Sequence, residues 1–356
     1  MRIPQKYYQR IKRGIRGEKQ SELKQFMEEP TIKKKYKQQW SSYNLAQTQE
    51  LVMFQDMLVE LVDSFITVNK PLWKRGNPFA DFKDMIFCCV MRVYFEKSCR
   101  RSTSYLTLAK GKNYINKIPH FNTLIKYYRN PHMTQALKYL IEKSGLPLKE
   151  LEQDFTVDSS GWATTLYGRW FDVRIGKGNR RRLFMKAHVC SGVKTNVISS
   201  VEVSGGYFND SPFFEGLVKA TRKNFDMREV SADAAYLSRH NMNVVSEAGA
   251  VPYIMFKKST TGRSKGSLIW HRMFRYYEEH REEFLQHYHK RSNAESVFNM
   301  IKRKMGTHLY SRTYNAQVNE LLCKCLAHNI CVLISEIFEN QVFLDFEDQE
   351  KLIIHH

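Results

Sequence analysis

The sequence predicts an α/β protein: a mixed sheet flanked by helices, preceded by an all-helical region. Three observations carry this. Up to about residue 149 apolar residues recur at helical steps of three and four. Past residue 150 the texture changes to short alternating strands separated by Gly, Asn and Arg turns. From Glu229 onward strand and helix alternate, which implies parallel pairing with helices on the sheet faces. At 356 residues and 42% hydrophobic content the chain is long enough for two domains. Its formal charge of +20 attracts polyanions, nucleic acid first and an anionic membrane surface second.

Residues 1–40 are rich in Lys, Arg, Gln and Tyr and include Lys33-Lys34-Lys35-Tyr36-Lys37. This is either a basic arm that lies along a phosphate backbone or a charged solubilising tail. Residues 41–149 form the helical region. Leu51, Phe54, Leu58, Leu61 and Phe65 mark an amphipathic helix over Ala46–Thr67, and Phe82 to Tyr94 mark a second after the turn-rich 70–78 connection. A short helix capped at Ser102-Thr103-Ser104 ends by Gly111, and Pro119 opens another through Tyr128. Joined by Lys110-Gly111-Lys112, these two are either a helix-turn-helix or ordinary bundle punctuation. A helix from Met133 closes at Gly145.

Residues 150–339 form the second region. Phe155 and Val157 alternate into Asp158, where the first strand is expected to end at Ser159-Ser160-Gly161. Strands over 170–175, 183–190 and 196–203 make an antiparallel meander. Between the second and third strands a cationic hairpin tip, with Arg180, Arg181 and Arg182, could grip a backbone phosphate. A helix over 212–224, a strand Glu229–Ala232 running into Asp233, a helix over 238–248 and a strand over 251–256 follow. An aromatic helix over 270–284 leads into a helix over 288–302 that ends at Gly306, and a last apolar helix over 316–338 seals the core. Residues 340–356 are a tail.

No apolar run of spanning length and no signal peptide are read, so a soluble, cytoplasmic protein with no membrane partner is expected. Seven cysteines without paired CxxC spacing argue against a disulfide framework and a zinc ribbon. Cys323, Cys325, His328 and Cys331 cluster in an apolar helical segment and are expected to be core.

On a helix at about 100° per residue, Tyr288, Arg291, Glu295 and Lys302 fall within roughly a 60° arc. Beside them Ala294, Val297, Phe298, Ile301 and Met305 form an apolar docking stripe. The polar stripe is either a solvated face with i,i+4 ion pairing or a phosphoryl-transfer site in which Glu holds a metal and the cations hold phosphates. Asp158 and Asp233, at the ends of neighbouring strands, converge over one sheet edge, the place where open α/β sheets bind ligands. Two aspartates and a glutamate offer hard oxygen donors suited to Mg²⁺ or Mn²⁺, and two ions about 4 Å apart would serve an in-line displacement at phosphorus.

These stations resemble the ribonuclease-H-like core of the DDE transposases of prokaryotic insertion sequences. Tyr288, Arg291, Glu295 and Lys302 meet the motif Y-x2-R-x3-E-x6-K of the insertion-sequence group numbered four and its relatives, including group five. The segments Asp158-Ser159-Ser160-Gly161, Gly206-Tyr207-Phe208-Asn209-Asp210-Ser211-Pro212 and Ala232-Asp233-Ala234-Ala235-Tyr236 are similar to those around the first two acids there. The resemblance implies Asp158, Asp233 and Glu295 as catalytic metal ligands and Tyr288, Arg291 and Lys302 as phosphate contacts. It also implies a homodimer that acts on double-stranded DNA, cutting at terminal inverted repeats and joining the ends to target DNA. Trp270 is a candidate for stacking a flipped base by location only, against a core role. Asp154 and Asp172 are expected on turns or exposed faces, His188 in a structural hydrogen bond, and Asp210 beside a helix cap at Ser211. A DNA-binding descendant without catalysis and a nuclease on the same core are the alternatives.

Overall fold

The computed structural model describes residues 39–64, 66–68, 81–164, 184–342, 346 and 353–355. The basic arm, the 70–78 connection, the strand expected over 170–175, Asp172 and the cationic tip with Arg180, Arg181 and Arg182 lie outside the described residues. The chain divides into Met1–Trp40 and Ser41–His356, and the architecture is that of the second unit.

Among the described residues five helices come first: α1 (Trp40–Asp63), α2 (Phe82–Tyr94), α3 (Cys99–Gly111), α4 (Phe121–Tyr128) and α5 (Pro131–Ser144). Their starts are set by side chains that accept otherwise orphaned backbone N–H groups. Asp81 caps α2, His120 caps α4, and Asn130 caps α5 with Pro131 at the first helical position. Helix α3 begins earlier than expected, behind Ser98. Ser102, Thr103 and Ser104 donate back to carbonyls a turn earlier, at Cys99 and Arg101, and so sit inside the helix.

The sheet contains β2 (Asp154–Ala163), β3 (Phe184–Gly192), β4 (Ile198–Gly205), β5 (Glu229–Ala232) and β6 (Val251–Ile254), in the spatial order β4-β3-β2-β5-β6. The β4–β3 and β3–β2 pairs are antiparallel; β2–β5 and β5–β6 are parallel. This mixed order with flanking helices is compatible with a ribonuclease-H-like core. Strand β2 does not end at Asp158: it stays paired with β3 as far as Ala163↔Phe184. Away from this sheet, β1 (Ile66–Val68) pairs in parallel with β7 (Ile353–His355).

Both sheet faces are covered. Phe155, Val157, Cys190 and Val230 pack beneath α6 (Phe214–Asn224), α7 (Arg239–Glu247), α8 (Leu268–Glu279) and α9 (Arg281–Tyr288). Trp162, Ala187, Val189 and Val201 join the opposite core with the N-terminal helices, α10 (Ser292–Met305) and α11 (Tyr314–Asn340). Helix α11 is long and apolar enough to cross a bilayer, but 78% of its most apolar window is buried inside the protein. It packs on α2, α4, α5, α10, β3 and β4. Within it Asn329 accepts from Ile198 N–H and donates to Ile198 and Ile141 carbonyls and Ser144 Oγ, tying sheet to helix. Glu320 meets Arg92 of α2 at 2.7 Å in the interior. Burial opposes the ionised form of Glu320, but the Arg92 charge and the N–H groups of Tyr310 and Ser311 together outweigh it and hold the carboxyl below its ordinary range.

Two expected single helices are broken. The aromatic helix is α8 plus α9, divided at His280 (φ −128°, ψ 51°), so that Phe284 as well as Trp270 reaches the core around Tyr253 and Phe256. The stretch from Tyr288 to Lys302 is the end of α9, a 3-10 turn His289–Arg291, and α10. Lys290 in that turn is ion-paired to Asp154 at 2.8 Å and Glu229 at 2.6 Å, fixing it over the starts of β2 and β5.

Candidate active site

Strands β2 and β5 run parallel with Val157 opposite Ala232, so Asp158 and Asp233 each follow a paired residue at the same sheet edge. Strand β5 stops there while β2 continues, which opens a place beside β2 that α10 occupies. Gly306 (φ +80°) ends α10, and residues 307–309 return to bond Ala163. The apolar stripe Ala294, Val297, Phe298, Ile301 and Met305 is buried as expected from its spacing, and with Phe298 against Trp162 the adjoining polar stripe borders β2.

Arg291 lies between two acids. Its guanidinium donates to Asp158 Oδ2 and to Glu295 Oε1, both at 3.4 Å, while its buried Nε has no hydrogen-bond partner. Charge-assisted pairs of full strength measure about 2.8 Å, so these two bonds are long and weak. Lys302, two turns beyond Glu295, donates to Ser160 Oγ at 2.6 Å and stands 4.8 Å over the Trp162 ring. Asp158, Ser160 and Trp162 are alternate residues of one strand and share a face. Asp233 Oδ1 accepts from Ala235 N–H at 2.6 Å, which orients that carboxylate at the start of a 3-10 turn.

Burial pushes the Asp158 carboxyl above its ordinary range, and the Asp233 and Glu295 carboxylates add to the shift; the Ser159 N–H and Arg291 oppose it. The three acids therefore share one electrostatic neighbourhood. Burial also raises the Tyr288 phenol, with Asp233 and Asp158 adding and Arg291 opposing. Burial lowers the Lys302 ammonium. Beneath the acids, the buried Tyr236 hydroxyl is raised by burial and by Asp210, Asp158 and Asp233.

Asp158, Asp233 and Glu295 fit a hard divalent cation by chemistry: all are oxygen donors, and one is a desolvated carboxylate pressed by two like charges. Among the described residues no three His, Cys, Asp or Glu groups are gathered closely enough to hold a metal. Glu295 is 62% exposed and reaches Asp158 only through Arg291. The positive charge at the centre of the group is thus a guanidinium.

Other candidates settle elsewhere. Asp154 is held by Arg228 and Lys290 at 2.6 and 2.8 Å and is not on an exposed turn. His188 is buried, bonded to Ser204 Oγ at 2.8 Å and stacked 4.2 Å from Phe213. Asp210 pairs with Lys186 at 2.8 Å, and Ser211 begins a 3-10 turn in place of capping a helix. Trp270 is core: its Nε1 donates to the Thr261 carbonyl at 3.0 Å, and Arg239 covers its ring at 4.4 Å. His328 bonds the Asn196 carbonyl at 2.9 Å. Ser160 and Trp162, which seat Lys302, escape a sequence reading that stops the strand at Asp158, although the i, i+2, i+4 spacing carries the signal.

The family model described as the transposase DDE domain matches residues 149–330, just over half of the chain. No solved structure matches it.

Proposed function

Because the chain belongs to the transposase DDE domain family, we propose that it is a metal-dependent DNA transposase of an insertion sequence. It cuts at the element's terminal inverted repeats and joins the freed 3′ ends to target DNA. The observation that carries this reading is the contact of Arg291 with both Asp158 and Glu295. It unites acids from a central strand and a late helix around a cation poised for phosphate.

In this reading Asp158, Asp233 and Glu295 are the residues that would hold two divalent ions, Mg²⁺ or Mn²⁺. Bound ions supply a more acidic nucleophile and positive charge for the leaving oxygen. Arg291 exchanges its two weak carboxylate bonds for the DNA phosphate, which frees both acids. Lys302, seated on Ser160 and Trp162, holds a phosphate further along the same strand, and the Tyr288 phenol, kept protonated, donates to a phosphate oxygen. Arg180, Arg181 and Arg182 contact the backbone outside the reacting phosphate. The helices of 41–149 and the basic arm of 1–40 bind duplex DNA, the active assembly is a homodimer on DNA, and the protein works in the cytoplasm at the nucleoid.

The test uses duplex DNA carrying the element's own ends, with Mg²⁺ or EDTA, and compares the native chain with Glu295→Gln. Cutting and joining by the native chain alone, and only with metal, supports the proposal. Cutting without joining favours a nuclease. Binding by both proteins with no cutting under either metal leaves a DNA-binding descendant as the better account.

A further inference from the structure

The turn that follows β4 has its backbone held by hydrogen bonds and is apolar on its outside. Tyr207 and Phe208 are 65% and 60% exposed, and Phe184 beside them is 37% exposed. Isolated apolar groups on a surface are ordinary, but adjacent exposed rings on an ordered turn point to a partner. The order has clear causes. Gly206 N–H donates to the Phe184 carbonyl at 2.7 Å, and a Cβ at Gly206 would lie 2.9 Å from that oxygen, so only glycine allows this approach. Phe208 N–H donates to the Gly205 carbonyl at 3.2 Å, and Lys186 Nζ donates to the Phe208 carbonyl at 3.0 Å. Lys186 is itself fixed by Asp210.

The turn shares a sheet edge with the acids. Gly205 pairs with Met185, and Met185 with Trp162, four residues beyond Asp158 on β2. Two strand spacings make about 10 Å, and four strand residues about 13 Å, so the turn lies roughly 16 Å from Asp158. At about 3.4 Å per nucleotide this is about five nucleotides along a strand whose phosphate sits at the acids.

We infer that Tyr207 and Phe208 form an aromatic contact for DNA bases about five nucleotides from the reacting phosphate. The inference rests on the proposed transposase reading and adds a contact to it. The occupant is nucleic acid because the edge is the one where the phosphate is placed, and because a chain with a charge of +20 attracts polyanions as a whole. Aromatic rings stack on any base, so this contact holds and positions DNA without demanding a sequence.

The experiment cross-links the full chain in EDTA to uncut element-end duplexes that carry one 5-iododeoxyuridine each, at successive positions on both sides of the cleavage point. Cross-links to the peptide containing Tyr207 and Phe208, peaking about five nucleotides away, are expected. A Tyr207→Ala, Phe208→Ala double variant should lose them and bind about tenfold or more weakly, while Phe208→Trp in the Tyr207→Ala background should recover most of the affinity. If the native chain binds and cuts but cross-links only elsewhere, or the double variant binds unchanged, this inference falls and the transposase reading stands. If the double variant changes only the protein's self-association, the surface belongs to a second copy and the inference falls likewise. A native chain that neither binds nor cuts its ends overturns the transposase reading, and the aromatic contact with it.

Discussion

Asp158 shows what a single site residue costs the fold. A carboxyl raised by burial is one whose ionised form is less stable in the folded chain than in the unfolded one. The penalty is present above the raised value and fades as pH falls through the window down to the ordinary carboxylate value of about 3.9. Asp158→Asn should therefore melt at a higher temperature than the native chain at pH 7 without metal, with the gain shrinking in acid; thermal denaturation across pH checks it. The same variant should lose cleavage and retain salt-sensitive DNA binding in a titration assay, because phosphate contacts supply most of the affinity. Asp158, Arg291, Glu295 and Lys302 are legible in the sequence through spacing and motif. The seat of Lys302 is not, because it depends on how far β3 stays paired with β2, which is a long-range fact.

Helix α10 carries Glu295 and Lys302, and its seating decides where they stand. Its buried stripe follows from a 3.6-residue period and is plain in the sequence. The break just before it is not, since the Lys290 pairs that fix the 3-10 turn reach residues 136 and 61 positions away. Its far end is held by Lys324, which donates to the carbonyls of Met305, Gly306 and His308 at 2.5, 3.0 and 3.0 Å. Burial lowers that ammonium to about 8. Lys324→Met should leave these carbonyls unpaired, at about 1–3 kcal/mol for each that finds no water. The expected outcome is a lower melting temperature and a turnover that falls further than DNA affinity. Equal losses in cleavage and filter-binding assays would contradict this.

At the scale of the molecule, the succession of strands and helices is readable from alternation and turn residues, and so is the parallel half of the sheet. The sharing of one core by α11, the N-terminal helices and a sheet face is not, because a helix apolar enough for a membrane says nothing of its neighbours. Acid should test this interior. Burial lowers His188 and His328 to about 4, so the unfolded chain takes up protons that the folded chain refuses. Their contribution to stability is then intact above about pH 6.5 and is lost as pH falls toward 4. In urea melts between pH 6.5 and 5, His328→Gln should remove about one proton from the slope of stability against pH.

Helix α11 is also a keystone with an evolutionary side. Asn329 and Glu320 fasten it to the sheet and to α2 through bonds that neither half can make alone. Calorimetry should show a single heat-absorption peak for residues 41–356, and a fragment starting at residue 150 should aggregate. If the helical half binds DNA as proposed, lineages that change their DNA preference are then barred from trading it wholesale. They must edit outward-facing side chains one at a time, and any laboratory effort to redirect the protein inherits the same constraint.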